Sequence, residues 1–172
     1  MCNAATVSVP ELISLLEKIP SYNEYRSCDD AAGKEREYRR ALGLLLKDCG
    51  DYLLNIAEKK SQILNGDMQA MIDGLVDRIS VIFRRLDRDG MVCLVGDHDT
   101  TIAELEDLDV RLILLVEETM ELVHNLEADV PAASWFQSEA TRLSRDLATF
   151  SEMTEERNYL LGLGWESEFA MK

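Results

Sequence analysis

The sequence predicts an all-α chain, an antiparallel four-helix bundle of two long helical hairpins with a short extra N-terminal helix. Three observations carry this. Apolar residues recur at heptad spacing in four long stretches, the rhythm of a helix with one packing face. Glycine, asparagine and proline breaks separate those stretches. Two of the connections are too short to join anything but antiparallel neighbours.

Pro10 and Glu11 suit a helix's first turn, and Leu12, Leu15, Leu16 and Ile19 repeat at helical spacing before Pro20 stops them. Ser21 to Asp30 is polar, with Tyr22 and Tyr25 expected as lids over the core. From about Asp30 a long helix follows, with Tyr38, Leu42, Leu45, Cys49, Tyr52, Ile56 and Ile63 as its seam and Lys59 in the missing slot. Gly43 and Gly50 inside it cost roughly 1 kcal/mol each relative to alanine, and are expected to permit close helix approach. Asn65-Gly66 reads as a helix-ending signal. The next seam is Met68, Ile72, Leu75, Ile79, Ile82 and Leu86, broken by Asp89-Gly90. Met91 to Val95 is too apolar to be fully solvated and is expected against the end of the bundle.

Thr101 and Glu104 form a capping-box pattern ahead of the fourth helix. Its seam runs Leu105, Leu108, Leu112, Leu115, Thr119, Leu122 and Leu126, with the Thr119 hydroxyl expected to bond back to the preceding turn. Off that seam lie Val110, Ile113, Leu114, Val116, Met120 and Val123, so more than one side of the helix needs covering. After Pro131, Ser134 and Gln137 make a second capping box ahead of Phe136, Ala140, Leu143, Leu147, Phe150 and Leu161, and Gly162 and Gly164 end the helix. The expected organisation is one domain, 1–172: helix and loop to 29, hairpin 30–88, connection 89–100, hairpin 101–162, and a tail 163–172 carrying Trp165, Phe169 and Met171.

At 172 residues the chain can bury a core without a disulfide or metal staple. No segment has the roughly 18 uninterrupted apolar residues of a membrane span, and Met1 to Val9 lacks the pattern of a secretory signal. Cys2, Cys28, Cys49 and Cys93 show no metal or redox spacing, which predicts reduced thiols and a cytoplasmic location. The net charge of −15 is unevenly placed: residues 1–90 carry 15 acidic against 13 basic groups, residues 91–172 carry 18 against 5, and Arg111 is the one basic residue between Asp97 and Asp129. Such a field repels phosphate backbones and anionic lipid and attracts basic partners or cations. Lys34, Arg36, Arg39 and Arg40, with Arg84, Arg85 and Arg88, form basic rims expected to pair the two hairpins in register.

Glu117, Glu118, Glu121 and His124 are the candidate metal ligands. Glu121-Leu-Val-His124 resembles the Glu-x-x-His of ferritin-like di-iron bundles, in which i,i+3 spacing aims both ligands at one metal. Those bundles use the motif twice, and the other histidine here, His98, falls in a connection. Glu117-Glu118-Thr-Met-Glu121 resembles the first half of the motif of MazG-type all-α nucleotide pyrophosphohydrolases, which implies magnesium held on a nucleoside triphosphate. The second half, a downstream Glu-x-x-Asp, is missing. Asp87-Arg88-Asp89-Gly90 is similar to part of an EF-hand loop, but that alignment puts Arg85 and Gly96 at required ligand positions. No nucleophile motif or phosphate-binding glycine loop is present.

The expectation is therefore a non-enzymatic interaction or scaffold module without a cofactor, binding a protein partner or a second copy, not nucleic acid or membrane. Ile113, Leu114, Met120, Trp165 and Phe169 are its candidate contact residues. The alternative is a metal-dependent all-α enzyme, using magnesium, iron or manganese at the acidic cluster.

Overall fold

The computed structural model of the chain describes residues 22–60, 62, 64–88, 90–127 and 133–164. A 3₁₀ turn, Tyr22–Arg26, leads into four helices: α1 Cys28–Lys59, α2 Gly66–Leu86, α3 His98–Glu127 and α4 Ala133–Leu160. There is no strand among the described residues. The expected N-terminal helix and the Trp165 to Met171 tail lie outside the described residues.

The seams became the core. Every residue of the α2 seam is buried, as are Phe136, Ala140, Leu143, Leu147 and Phe150 of α4, and Tyr38, Leu42, Leu45, Cys49 and Ile56 of α1. At about 25 cal/mol per Å² of apolar surface removed from water, this shared interior drives assembly. Gly43 and Gly50 are not needed for close approach: a Cβ on Gly43 would meet Phe83 at an ordinary 3.6 Å, and one on Gly50 would meet nothing within 4 Å.

Each hairpin is antiparallel. At one end of the first, Arg39 donates to the Leu86 carbonyl at 2.6 Å; at the other, Gln69 donates to that of Ala57 at 3.5 Å. In the second, Arg157 meets Asp109 while Arg142 meets Glu118 further along. Around the bundle the order is α1, α2, α4, α3, each packed on its neighbours and α3 closing on α1. Parallel helices therefore sit side by side: Tyr38 bonds Asp109, and about three turns later in both helices Cys49 meets Met120.

That order puts α2 and α3 at opposite corners, so the chain between them must cross the end of the bundle. Val92 and Leu94 bury there, while Met91 stays exposed. The crossing segment pairs with the end of α4 through Cys93 N–H to the Leu161 carbonyl and Val95 N–H to that of Leu160. Gly162, at φ +77°, makes this approach possible, since a Cβ there would lie 2.6 Å from the Cys93 carbonyl oxygen. On its other side Cys93 is disulfide-bonded to Cys28 at the start of α1. This corrects the expectation of reduced thiols: the two are 65 residues apart in sequence, and only the diagonal crossing brings them together. Cys49 does remain a free, buried thiol.

Three caps also differ from expectation. Asn65 does not end a helix; its side chain accepts from Met68 N–H and opens α2. Asp97, not Thr101, caps α3, with its carboxylate accepting from the Thr100 N–H and hydroxyl. Thr101 is buried inside the first turn and donates to the Val95 carbonyl. Ser134 likewise falls within α4, which starts at Ala133.

Candidate interaction surface

The surface on α3 is set by what its inner side holds. Arg157 of α4 is 3% exposed and reaches into the centre of the bundle. Its Nε donates to Asp109 Oδ1 at 2.9 Å, its Nη1 to Glu35, and its Nη2 to the Tyr25 hydroxyl at 3.4 Å, while the guanidinium lies 3.9 Å above the Tyr38 ring. Tyr22 and Tyr38 donate their hydroxyls to Asp109 at 2.9 and 3.0 Å, and Tyr25 donates to Glu35 at 3.0 Å. Arg39 adds a bond to Glu35 at 2.8 Å. Two arginines thus face two carboxylates, and the charges cancel.

Burial alone would raise the Glu35 carboxyl, but the charge and hydrogen bond of Arg157, followed by Arg39 and the Tyr25 hydroxyl, hold it below the usual range. Burial, then Asp109, pushes the Tyr22 and Tyr38 hydroxyls up, and burial with Glu35 does so for Tyr25. The cluster is closed and its groups are mutually bonded, so it acts as a lock on helix phase. The expected lids, Tyr22 and Tyr25, cover it.

With Asp109 turned inward, the next residue, about 100° round the helix, must turn outward. That residue is Val110, 61% exposed, and one turn later Leu114 is also 61% exposed. Ala103, Asp107, Val110, Leu114, Glu117, Glu121 and His124 are all exposed and follow the 3,4 spacing of a single stripe. Beside it, towards α4, a groove of about 250 Å³ is lined by Arg111, Leu114, Leu115, Glu118, Thr149 and Met153. Glu106, Glu117 and Glu121 make no ion pair with another described residue. Glu118 pairs with Arg142 at 3.5 Å.

The expected contact residues separate on this geometry. Leu114 lies at the surface, and Ile113 is partly buried against the core. Met120 is 3% exposed, with its sulfur 3.0 Å from that of Cys49. It belongs to the core because α3 buries Val116, Met120 and Val123 against α1 as well as its leucine seam against α4. Leu115, on that seam, is only partly buried. Trp165 and Phe169 lie outside the described residues. Thr119 is buried, but its hydroxyl has no hydrogen-bond partner, so the expected bond to the preceding turn is not made.

Glu117, Glu118, Glu121 and His124 are exposed but do not converge: Glu118 lies off the stripe and turns to Arg142 on α4, and the His124 ring meets Tyr52 of α1 edge-on at 5.0 Å. No group of three or more His, Cys, Asp or Glu among the described residues is placed to hold a metal ion. Of the basic rims, Arg39, Arg85 and Arg88 join the hairpins, through Asn158, the Ser151 carbonyl and Glu155 respectively, while Lys34 pairs with Glu24 and Glu37 instead. No helix among the described residues is long and apolar enough to cross a membrane. No model of a protein family matches the chain, and neither a curated protein nor a solved structure does.

Proposed function

We propose that the chain is a non-enzymatic protein-interaction module whose contact surface is the outward stripe of α3. One observation carries this: Val110 and Leu114, a turn apart, each leave 61% of their surface in water on a helix that otherwise supplies the core. Single exposed apolar residues are ordinary, but an adjoining pair beside a groove lined in part by Leu115 and Met153 marks a contact site. The acidic enzyme reading gains nothing from the geometry, since Glu118 turns away to Arg142, the His124 ring turns to Tyr52, and no three of these groups converge. The cytoplasmic location loses its argument from free thiols, because a Cys28–Cys93 cross-link is the kind that persists in oxidising compartments.

A photo-reactive phenylalanine at position 114, compared with one at the exposed Ala70 of α2, tests the reading in the native host. A discrete cross-linked product at 114 and none at 70 is expected. Equal products at both positions, or none at 114, would contradict it.

A further inference from the structure

Resting on that interaction reading, we propose that the α3 stripe docks a basic amphipathic helix, its apolar ridge over Val110 and Leu114 and Lys or Arg residues at the two ends of that ridge, against Glu106 on one side and Glu117 and Glu121 on the other. The stripe runs at helix spacing from Asp107 to Glu121, about 21 Å or four turns. A second helix laid along it presents the same repeat, the mode in which an amphipathic helix fills an apolar groove. The groove against α4, floored by Leu115 and Met153, takes an apolar side chain from such a ridge.

Charge selects among occupants. Arg111 is the one basic residue between Asp97 and Asp129, and it sits within 4.0 Å of Asp107. The three glutamates at the two ends of the apolar pair lack ion pairs with other described residues, so a cationic flank meets carboxylates that are available to it. A second copy using the same face would set these carboxylates against themselves, because a two-fold contact is self-complementary in position but not in charge. An acidic helix meets the same repulsion. Behind the rim, Asp146 is 6% exposed, lies against Glu118, and has its Oδ2 without a hydrogen-bond partner.

The probes are three short fluorescent helical peptides: leucines on one face with lysine flanks, the same leucines with glutamate flanks, and the lysine peptide with its leucines scattered off one face. Each is titrated by anisotropy against the full-length protein and two variants, V110S/L114S and E117K/E121K. The lysine-flanked amphipath should bind saturably, one per chain. Its affinity should fall by about tenfold or more in V110S/L114S and by about tenfold in E117K/E121K. Both variants should keep the wild-type melt.

Equal binding of the scattered peptide would overturn the proposal by reducing the effect to net charge. So would tighter binding of the glutamate-flanked peptide. A dimer in sedimentation that V110S/L114S disperses would also overturn it, giving the face to a second copy. If position 114 cross-links in the host while the lysine-flanked amphipath fails to bind, this partner chemistry falls and the interaction reading stands. Absence of the host cross-link removes the interaction reading itself.

Discussion

Arg157 concentrates more of the architecture than any other residue, because it answers two carboxylates from two other helices at once. Replacing it with methionine leaves Asp109 buried without its cation and Glu35 with Arg39 alone, at a cost of about 3 to 5 kcal/mol. A denaturant titration of R157M reads this directly. The Glu35 carboxyl is held below its ordinary range, so its contribution is present above the unfolded value and is lost as pH falls through the folded one. Asp146 works in the opposite sense. Burial, then the neighbouring Glu118, raises its carboxyl, so the folded state favours the protonated form and loses stability as pH rises through the folded value. Asp146→Asn should therefore raise Tm at about pH 7 and have less effect at about pH 3, where the carboxyl is mostly protonated in both states. A gain that is larger at the acid end would refute this. None of this network was legible in the chain. Glu35, Asp109 and Arg157 each interrupt an apolar stripe, but one charge in a stripe carries no message until folding brings the three to the same height. The signal was their shared place on seam positions at the ends of α1, α3 and α4 that meet.

At the scale of the helix, packing faces were legible and boundaries less so. The stripe of α2 could be read in full, and that of α4 as far as Phe150, because burial against neighbours sets the spacing of their apolar residues. The caps were misjudged because an asparagine or aspartate at a break can serve the helix behind it or ahead of it. Asn65 and Asp97 both serve the one ahead. For α3 the leucine seam was real, but it is one of two buried rows, and Asp109 sets the phase that leaves Val110 and Leu114 outside. That phase predicts a sharp contrast between adjacent leucine sites. Leu112→Ala, at 0% exposure, should cost about 2 to 5 kcal/mol. Leu114→Ala should change stability by no more than about 0.5 kcal/mol. Thermal or urea melts of the two variants check it, and similar losses in both would mean that the assigned phase is wrong.

The whole molecule is governed by its crossing end. Order around the bundle could not be read from the chain, since the connection between the hairpins is long enough to reach either an adjacent or a diagonal corner. The diagonal route explains the buried Val92 and Leu94, the bonds to the end of α4, and the Cys28–Cys93 cross-link. Closing a 65-residue span restrains the unfolded chain by about 4 kcal/mol in the loop-entropy account, so reduction by a dithiol should lower stability by roughly 2 to 4 kcal/mol. Equal urea midpoints for the oxidised and reduced protein would contradict that. Cys49 should stay inert in either state, since burial, with a smaller effect from Asp48, pushes its thiol up to about 12. The same inert thiol provides an internal reference for the claim on which the functional reading turns, that the α3 stripe is open in the isolated chain. Leu114→Cys, in a Cys2→Ser background with the disulfide intact, is to be alkylated in the purified protein. The thiol introduced at position 114 should be modified within about tenfold of a free thiol's rate while Cys49 remains untouched. Protection of that introduced thiol as deep as the protection of Cys49 would show the face already covered, and would contradict the claim.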